Sequence, residues 1–318
     1  MTAGLYGPDG FFTARAGGPS QHFRTSVHAS PLFAGALLTL VERVDAALGH
    51  PKAFDLVDVG AGGGELLATL RAMLPDHLAR RARLTAVEVA PRPDGLDPGV
   101  GWRRDIPDGI VGLLVATEWL DNVPLDVLDL DDAGRRRRVE VEPATGKESL
   151  GGPPDAADLF WLSRWWPAGG RVEIGWPRDA AWADAVDHVR RGCALAVDYG
   201  HLRADRPPLG TLTGFLGGRQ VPPVPDGSRD VTAHVAMDAV AAAAGTPYEL
   251  IRQREALKAL GIDGARPPLD LAHRDPAAYV RALSAAGAAA ELIEPGGLGA
   301  HWWLLHTVGI ERRGSMLL

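Results

Sequence analysis

The sequence predicts an α/β protein built on a parallel sheet. Three observations carry that prediction. Apolar runs of strand length alternate with amphipathic helical segments, and one of the strands opens through glycines into a helix. The composition, 46% hydrophobic and 23% charged over 318 residues, is that of a globular chain with a large core. In chain order, Ser30 followed by Pro31 marks a helix start, a capping side chain and then a first-turn proline. Phe33, Leu37, Val41, Val44 and Leu48 share one face, and Gly49 with Pro51 stops the helix. Phe54 to Val59 reads as a strand, and Gly60-Ala61-Gly62-Gly63-Gly64 follows it. Glu65 to Leu74 is helical, with Leu66, Leu67, Leu70 and Leu74 clustered, and Pro75 ends it. Leu84 to Val89 reads as a second strand carrying Glu88. Ile110 to Ala116 is a third, nearly all apolar, as a strand buried on both faces should be. Cys193 to Asp198 is another buried strand, ending at Tyr199-Gly200. Asp230 is expected to cap a helix running through Ala244, and Tyr248–Ile251 and His301–Val308 to close the sheet. Residues 126–190, with an Arg-rich hairpin and a Trp-rich helical stretch, read as an insertion between core strands. Residues 203–229, rich in Pro and Gly, read as one long loop of the kind that forms lids or binding loops.

Composition excludes several classes of function. The chain has 33 Lys and Arg against 40 Asp and Glu, a formal charge of −7, which argues against nucleic acid because phosphate affinity comes from clustered cations. The single cysteine, Cys193, rules out an internal disulfide framework and a multi-cysteine zinc site. It also fits a reducing compartment. No run approaches ~18 apolar residues, and the N-terminus has no signal-peptide segment, so no membrane insertion is expected and the cytoplasm is the expected address. Glycine (39) and proline (25) are abundant but punctuate periodic segments without forming repeats.

The sharpest signal is Asp58-Val59-Gly60-Ala61-Gly62-Gly63-Gly64, a strand–glycine–helix junction where ligand and backbone can approach closely. Counting G-x-G-x-x-G from Gly60 puts Glu65 at the third glycine, and counting from Gly62 puts Leu67 there, so the dinucleotide fingerprint fails. Charge agrees: Asp58 and Glu65 flank the place a pyrophosphate would occupy and would repel it. S-adenosylmethionine carries an ammonium and a sulfonium and no phosphate, which suits an acidic loop. NAD is the lesser rival. The expected cofactor set is Asp58, Gly60, Ala61, Gly62 and Gly64, with Glu88 for the ribose hydroxyls and Asp105 with Ile106 for the adenine. The plainer reading is a glycine turn selected only for helix–sheet packing.

The chain also resembles the MidA-type methyltransferases, class I S-adenosylmethionine enzymes known as complex I assembly factors in mitochondria. The resemblance rests on the order of Tyr6-Gly7-Pro8-Asp9-Gly10-Phe11-Phe12-Thr13, the glycine loop, and Glu118-Trp119-Leu120-Asp121-Asn122-Val123-Pro124. It continues through Val172-Glu173-Ile174, Ala196-Val197-Asp198-Tyr199-Gly200, Gly210-Thr211-Leu212, Asp230-Val231-Thr232-Ala233-His234-Val235 and Gln253. Departures from the family pattern include Thr117 for Asn, Asn122 for Ala, Gly63 for Arg, and a longer Gln21–Ser30 segment. The resemblance implies a seven-stranded Rossmann-like, mostly parallel sheet with helices on both faces and added substrate-binding elements. It also implies a protein acceptor, arginine in one described mitochondrial member, so that a respiratory-complex subunit is one candidate partner. On this reading residues 1–50 form an N-terminal lid and helix, and 51–125 the cofactor-binding half. Residues 126–190 make a substrate-side insertion, and 191–318 the second half of the core.

Methyl transfer from a sulfonium is an in-line displacement in which the enzyme mainly aligns donor and acceptor. A guanidinium acceptor must be held and relieved of its proton, and paired carboxylates can clamp it. Glu118 and Asp121 follow the third buried strand at the carboxyl edge, where open α/β sheets bind ligands, and Asp198 ends a strand at the same edge. Glu118, Asp121 and Asp198 are therefore the expected catalytic set, with Tyr199, Asn122 and His234 on the substrate side; helix capping is the plainer role for the acids. His234, one turn after Asp230 on the expected helix, also reads as an ordinary helix-surface or core histidine. His22 and His28 lack a third ligand, so no metal site is expected. Arg135 to Arg138 read as a solvated hairpin with cross-strand charge pairs. Trp161, Trp165, Trp166, Trp176 and Trp182 read as packing for the insertion, or as an aromatic rim for a cationic or protein partner. Trp302 and Trp303 point to opposite faces of their strand. The expected function is methyl transfer from S-adenosylmethionine to a protein side chain. A small-molecule acceptor, or a non-catalytic assembly module keeping the fold, are the alternatives, and the oligomeric state is not read from the sequence.

Overall fold

Seven strands make the main sheet of the computed structural model, which describes residues 1–13, 25–167, 169–311 and 314–318. In chain order they are β1 (Phe54–Val59), β2 (Ala82–Val87), β3 (Val100–Arg103), β4 (Ile110–Thr117), β5 (Val189–Asp198), β6 (Tyr248–Arg252) and β7 (Trp302–Val308). Across the sheet they run β3-β2-β1-β4-β5-β7-β6, all parallel except β7, which is antiparallel to both its neighbours. The order reverses direction between β1 and β4, so the carboxyl ends of those two strands flank a crevice, the place where open α/β sheets take ligands.

Helices cover both faces. On one, α1 (Pro31–Ala47) and α2 (Glu65–Met73) bury Phe33, Leu37, Leu40, Val41, Val44, Leu66, Leu67 and Leu70 against Leu56, Leu84, Leu113, Val115 and Leu195. Ser30 caps α1 as its sequence predicts, its hydroxyl accepting from the Leu32 N–H at 3.1 Å. A short helix α3 (Ala156–Trp165) belongs to the insertion, whereas α4 (Trp176–Asp187) and α5 (Met237–Ala243) cover the second face, burying Trp182, Ala185, Val186 and Val240 against Leu114, Ala116, Ala194 and Leu304. Trp182 therefore packs on the main sheet. The first face is completed by α6 (Gln253–Ala259) and α7 (Pro276–Ile293). Trp302 and Trp303 do face opposite sides, Trp303 meeting Phe33 edge to face at 5.8 Å. The centre of the sheet demands glycine: a Cβ on Gly112 would sit 2.0 Å from the Asp55 carbonyl oxygen, and one on Gly192 1.9 Å from that of Gly112.

Outside the sheet, Val127–Leu130, Arg136–Val141, Glu148–Leu150 and Val172–Glu173 form a four-stranded antiparallel sheet. Within its hairpin Arg135 and Arg137 pair with Asp131, whereas Arg138 reaches beyond it, to Asp126 and to Asp155 and the buried Asp158 at the start of α3. Trp161, Leu162 and Trp166 pack on Leu128, Val172 and Ile174 as a small separate core.

Besides the placing of Trp182, two further sequence expectations fail. Asp230 does not cap a helix: Asp230–Thr232 is a strand, Val235–Ala236 is another, and α5 starts only at Met237. The β-branched Val231 and Thr232 pair with Thr213–Phe215, and burial of Asp230 outweighs its capping tendency. His234 consequently lies between two short strands and not one helical turn from Asp230. The 203–229 segment is not structureless either, for Thr213–Leu216 and Arg219–Val221 form a hairpin closed by Gly217-Gly218, both at positive φ. No helix among the described residues is long and apolar enough to cross a membrane.

Candidate functional site

Parallel register builds the site. Val59 aligns with Val87 on one side and Ala116 on the other, and Thr117 aligns with Val197. Gly60, Glu88, Glu118 and Asp198 therefore emerge side by side at the carboxyl edge of the sheet. Gly60, Gly62 and Gly64 have φ of +72°, +56° and +82°, and a Cβ on Gly60 would meet Trp119 Cδ1 at 2.8 Å. Two amides of the glycine loop just before α2 are already engaged by carboxylates: Gly62 N–H donates to Glu88 Oε2 (2.9 Å) and Gly63 N–H to Glu65 Oε2 (3.0 Å). Two amides of the loop that leads into the helix are thus taken by the chain's own acids, and the negative charge they bring beside the helix N-terminus disfavours a pyrophosphate there. His28 Nε2 lies 3.6 Å from Glu65 Oε1, and the His28 bond holds that carboxyl below its usual value.

Asp58 is 2% exposed, and its Oδ1 has no hydrogen-bond partner among the described residues. Burial pushes its pKa up to about 8, with Glu88 and Glu65 adding to the pressure. An orphaned carboxylate oxygen among further acids fits a cation. The ammonium end of S-adenosylmethionine supplies one, so the residues present fit that cofactor.

Two cavities adjoin on the glycine loop. One is lined by Asp58, Gly60, Ala61, Gly62, Gly63, Glu65, Thr25, His28, Glu118 and Asn122. The other, about 220 Å³, is lined by Val87, Glu88, Val89, Ile106 and Trp119, with Tyr6 and Phe12 from the N-terminal segment stacked at 5.6 Å. Of the predicted cofactor set, Asp105 is exposed and lies outside these linings, and Gly64 serves as the left-handed residue before α2. A third cavity of about 490 Å³ lies beyond Glu118, walled by Tyr199, Thr211, Phe215, Thr232, His234 and His301.

Glu118 borders all three. Its φ of +51° is rare for a residue with a side chain. Its N–H donates to the Val197 carbonyl (2.8 Å), and its Oε1 accepts from Ser26 N–H (3.1 Å). Burial, then Asp121 and Asp230, push its pKa up to about 8. The other predicted acids turn inward. Asp121 Oδ2 accepts from Tyr199 Oη and from Thr232 Oγ1 (2.6 Å). Asp198 Oδ2 accepts from the Leu120 and Asp121 N–H groups (3.0 and 3.2 Å), and its Oδ1 from Tyr199 N–H (2.9 Å). Asp121 and Asp198 are 1% exposed and line none of the three cavities, so they shape the 120–122 turn and do not face an acceptor. Asn122 donates to Asp230 Oδ1 at 2.7 Å.

Sequence reasoning missed Arg178, 1% exposed, whose guanidinium donates to the carbonyls of Asp121, Val123, Ala233 and His234. It ties the 121–123 turn to the 233–234 segment, and nothing local in Trp176–Asp187 signals a reach of some fifty residues. Tyr6, Phe12, Ser26 and His301 were also missed. Of the two histidines weighed for a metal, His22 lies outside the described residues, while His28 lines the first cavity. No metal-holding group of acids, histidines or cysteines occurs among the described residues.

The buried acids give stability a definite pH dependence. Asp58, Glu118 and Asp230 are pushed up to about 8 and Asp179 to about 7, each first by burial. Between the ordinary carboxylate range and these values the folded chain holds more protons than the unfolded one, so their contribution falls as pH rises. His201, at about 3, and His301 and His306, at about 4, act oppositely, but only below their ordinary 6.5. The melting temperature of the cofactor-free protein is therefore expected to fall from pH 6.5 to 8, and to fall less with S-adenosylmethionine bound. Scanning calorimetry across that window checks it, and a flat or rising profile would contradict the burial of these acids.

A family model described as "Putative S-adenosyl-L-methionine-dependent methyltransferase" matches residues 36–253. The fold is similar to that of a protein from Burkholderia thailandensis crystallised with S-adenosyl-homocysteine, at a TM-score of 0.79 and 24% identity, covering 98% of this chain and 87% of that one. An uncharacterized protein from the same organism gives a TM-score of 0.77 at 24% identity with the same coverage of each chain. No curated protein matches the chain.

Proposed function

We propose, on the premise that this chain belongs to a family of S-adenosyl-L-methionine-dependent methyltransferases, that it methylates a nitrogen of a protein side chain, arginine by the resemblance set out above, with Glu118 at the point of transfer. One observation carries this reading: Glu118 is the common wall of the glycine-loop cavities and the 490 Å³ chamber beyond them.

S-adenosylmethionine, when bound, would supply a methyl group on a sulfonium, the S–CH3 bond breaking as the N–CH3 bond to the acceptor forms and S-adenosyl-homocysteine leaving. The chain's own residues do the rest. Asp58 takes the ammonium on its unpartnered Oδ1, and Glu88 retains lone pairs for the ribose hydroxyls beyond the backbone bonds it accepts from Gly62, Val89 and Ala90. Val87, Val89 and Ile106 give the base an apolar wall. A guanidinium in the chamber offsets the burial and the acidic neighbours that raise Glu118. Its carboxylate then ionises, orients the acceptor and takes the proton that the methylated nitrogen loses. Tyr199 and His234 meet edge to face at 5.1 Å and form the chamber wall. Asp121, Asp198 and Asn122 position the turn that follows Glu118. The 213–221 hairpin makes the substrate side through Phe215 and Gln220, and the insertion supports it from behind through Glu173, whose carboxylate accepts from the Thr211 and Leu212 N–H groups. The single, buried Cys193 is in keeping with a reducing compartment such as the cytoplasm.

A small-molecule acceptor is a second reading, favoured by a chamber volume in the range of about 300–1,000 Å³ that encloses small ligands. Incubating the protein with methyl-labelled cofactor and a host lysate separates the readings. Label is expected in protein, recovered as methylarginine after hydrolysis. Label confined to the low-molecular-weight fraction would select the second reading, and cofactor binding without any transfer would leave a non-catalytic module.

A further inference from the structure

A second cleft lies between α3, α4 and α5, and none of its lining residues borders the three cavities above. It holds about 310 Å³, and its aromatic side chains are Phe160, Trp161, Trp165 and Trp176, with Ala239 of α5 behind them. Packing accounts for Trp161, which is 4% exposed in the small core of the insertion. It does not account for Phe160, 71% exposed; Trp176, 42% exposed on the adjacent helix, is tethered to α3 by its indole N–H, which donates to Asp158 Oδ1 at 3.1 Å.

Asp179 also lines the cleft. The residue is 8% exposed, and its Oδ2 accepts from Trp161 Nε1 at 2.7 Å, while its Oδ1 is buried without a partner among the described residues. Burial pushes this carboxyl up to about 7, Asp238 adding to the rise and Arg206 and Arg178 opposing it. An aromatic enclosure with an unsatisfied buried carboxylate oxygen is the chemistry of a cation site. The chain's own Arg164 already uses one aromatic face, its guanidinium carbon 4.9 Å from the Trp165 ring centre.

We propose that this cleft binds an alkylammonium group, its nitrogen donating to Asp179 Oδ1 and its alkyl arm lying against Phe160 and Trp176. The donor set selects the ammonium over a guanidinium. A guanidinium is best held by both oxygens of one carboxylate, and Trp161 has taken the second. An ammonium is a compact point charge that needs only one open oxygen. Either a lysine side chain of a protein or a free amine carries that group.

The test uses the full-length protein labelled with nitrogen-15 and follows the indole N–H signals of Trp161 and Trp176. Titration with n-butylammonium chloride is expected to shift both, saturating in the millimolar range, while n-butanol leaves them in place. Phe160→Ala, at an exposed position that leaves the fold intact, should weaken binding by at least about fivefold, and Asp179→Asn by at least about tenfold. A blocked lysine amide that binds as well as butylammonium identifies a protein side chain as the ligand; one that fails to bind identifies a free amine. Equal shifts with butanol, or Phe160→Ala binding like the parent, would overturn the proposal.

Discussion

Glu118→Gln is expected to bind S-adenosylmethionine within about threefold of the parent protein and to transfer methyl groups about a thousand times more slowly. The amide is nearly isosteric and keeps an oxygen for the Ser26 N–H. It has no charge with which to orient a cationic acceptor and no means of taking its proton, a step worth about 10²- to 10⁴-fold. Because binding and turnover separate, the loss cannot be assigned to a damaged cofactor site. The backbone offers an independent check. At φ +51° a side chain costs roughly 1–3 kcal/mol that glycine avoids, a strain that persists where the surroundings impose it. Glu118→Gly is therefore expected to melt no lower than the parent while remaining inactive. Single-turnover transfer from labelled cofactor together with thermal melting reads both variants, and wild-type turnover in Glu118→Gln would remove this residue from the chemistry.

The sheet was legible because its central strands β1, β4, β5 and β7 are largely apolar runs buried on both faces, and Phe54–Val59 was read to the residue. The carboxyl-edge residues were legible for the same reason: once strands are placed, their ends are placed to within about two residues, which located Gly60, Glu88, Glu118 and Tyr199, although the second strand stops at Val87 and the third runs on to Thr117. What a strand end does not reveal is which way the next side chain turns. Glu118 faces the cavities, whereas Asp121 and Asp198 fold inward onto backbone amides and Tyr199, a choice made by tertiary packing around Arg178. The 230–236 segment misled because an aspartate before an alanine-rich run looks like a helix cap, and strand pairing with Thr213–Phe215 overrode that local preference. The hairpin within 203–229 did carry a signal, Gly217-Gly218 between two short extended runs, which the abundance of glycine and proline around it concealed. Tyr6 and Phe12 stood in the Tyr6–Thr13 segment that carries the resemblance and Ser26 in the longer Gln21–Ser30 segment, but no sequence period announces that they reach the site from the far end of the chain.

The second large effect concerns Asp58. Replacing its carboxylate in Asp58→Asn is expected to weaken S-adenosylmethionine binding by at least about 100-fold. That matches the upper part of the roughly 1.5–3 kcal/mol carried by a hydrogen bond to a charged group, at about 1.4 kcal/mol per tenfold change. The same change should raise the melting temperature of the cofactor-free protein at pH 8, because an orphaned buried acid that ionises there has been removed. Lower affinity with higher stability marks a group kept for its ligand; a merely structural aspartate would lose both.

Beneath these expectations lies a single electrostatic statement: acids crowd the amides of the glycine loop, so the site admits a positively charged nucleoside and rejects one bearing a pyrophosphate. Calorimetric titration of the parent protein with S-adenosylmethionine, S-adenosyl-homocysteine and NAD tests it most directly. The account predicts saturable heat with the first two, lost in Asp58→Asn, and none with NAD. Saturable binding of NAD, with no response to either sulfur-containing nucleoside, would contradict it.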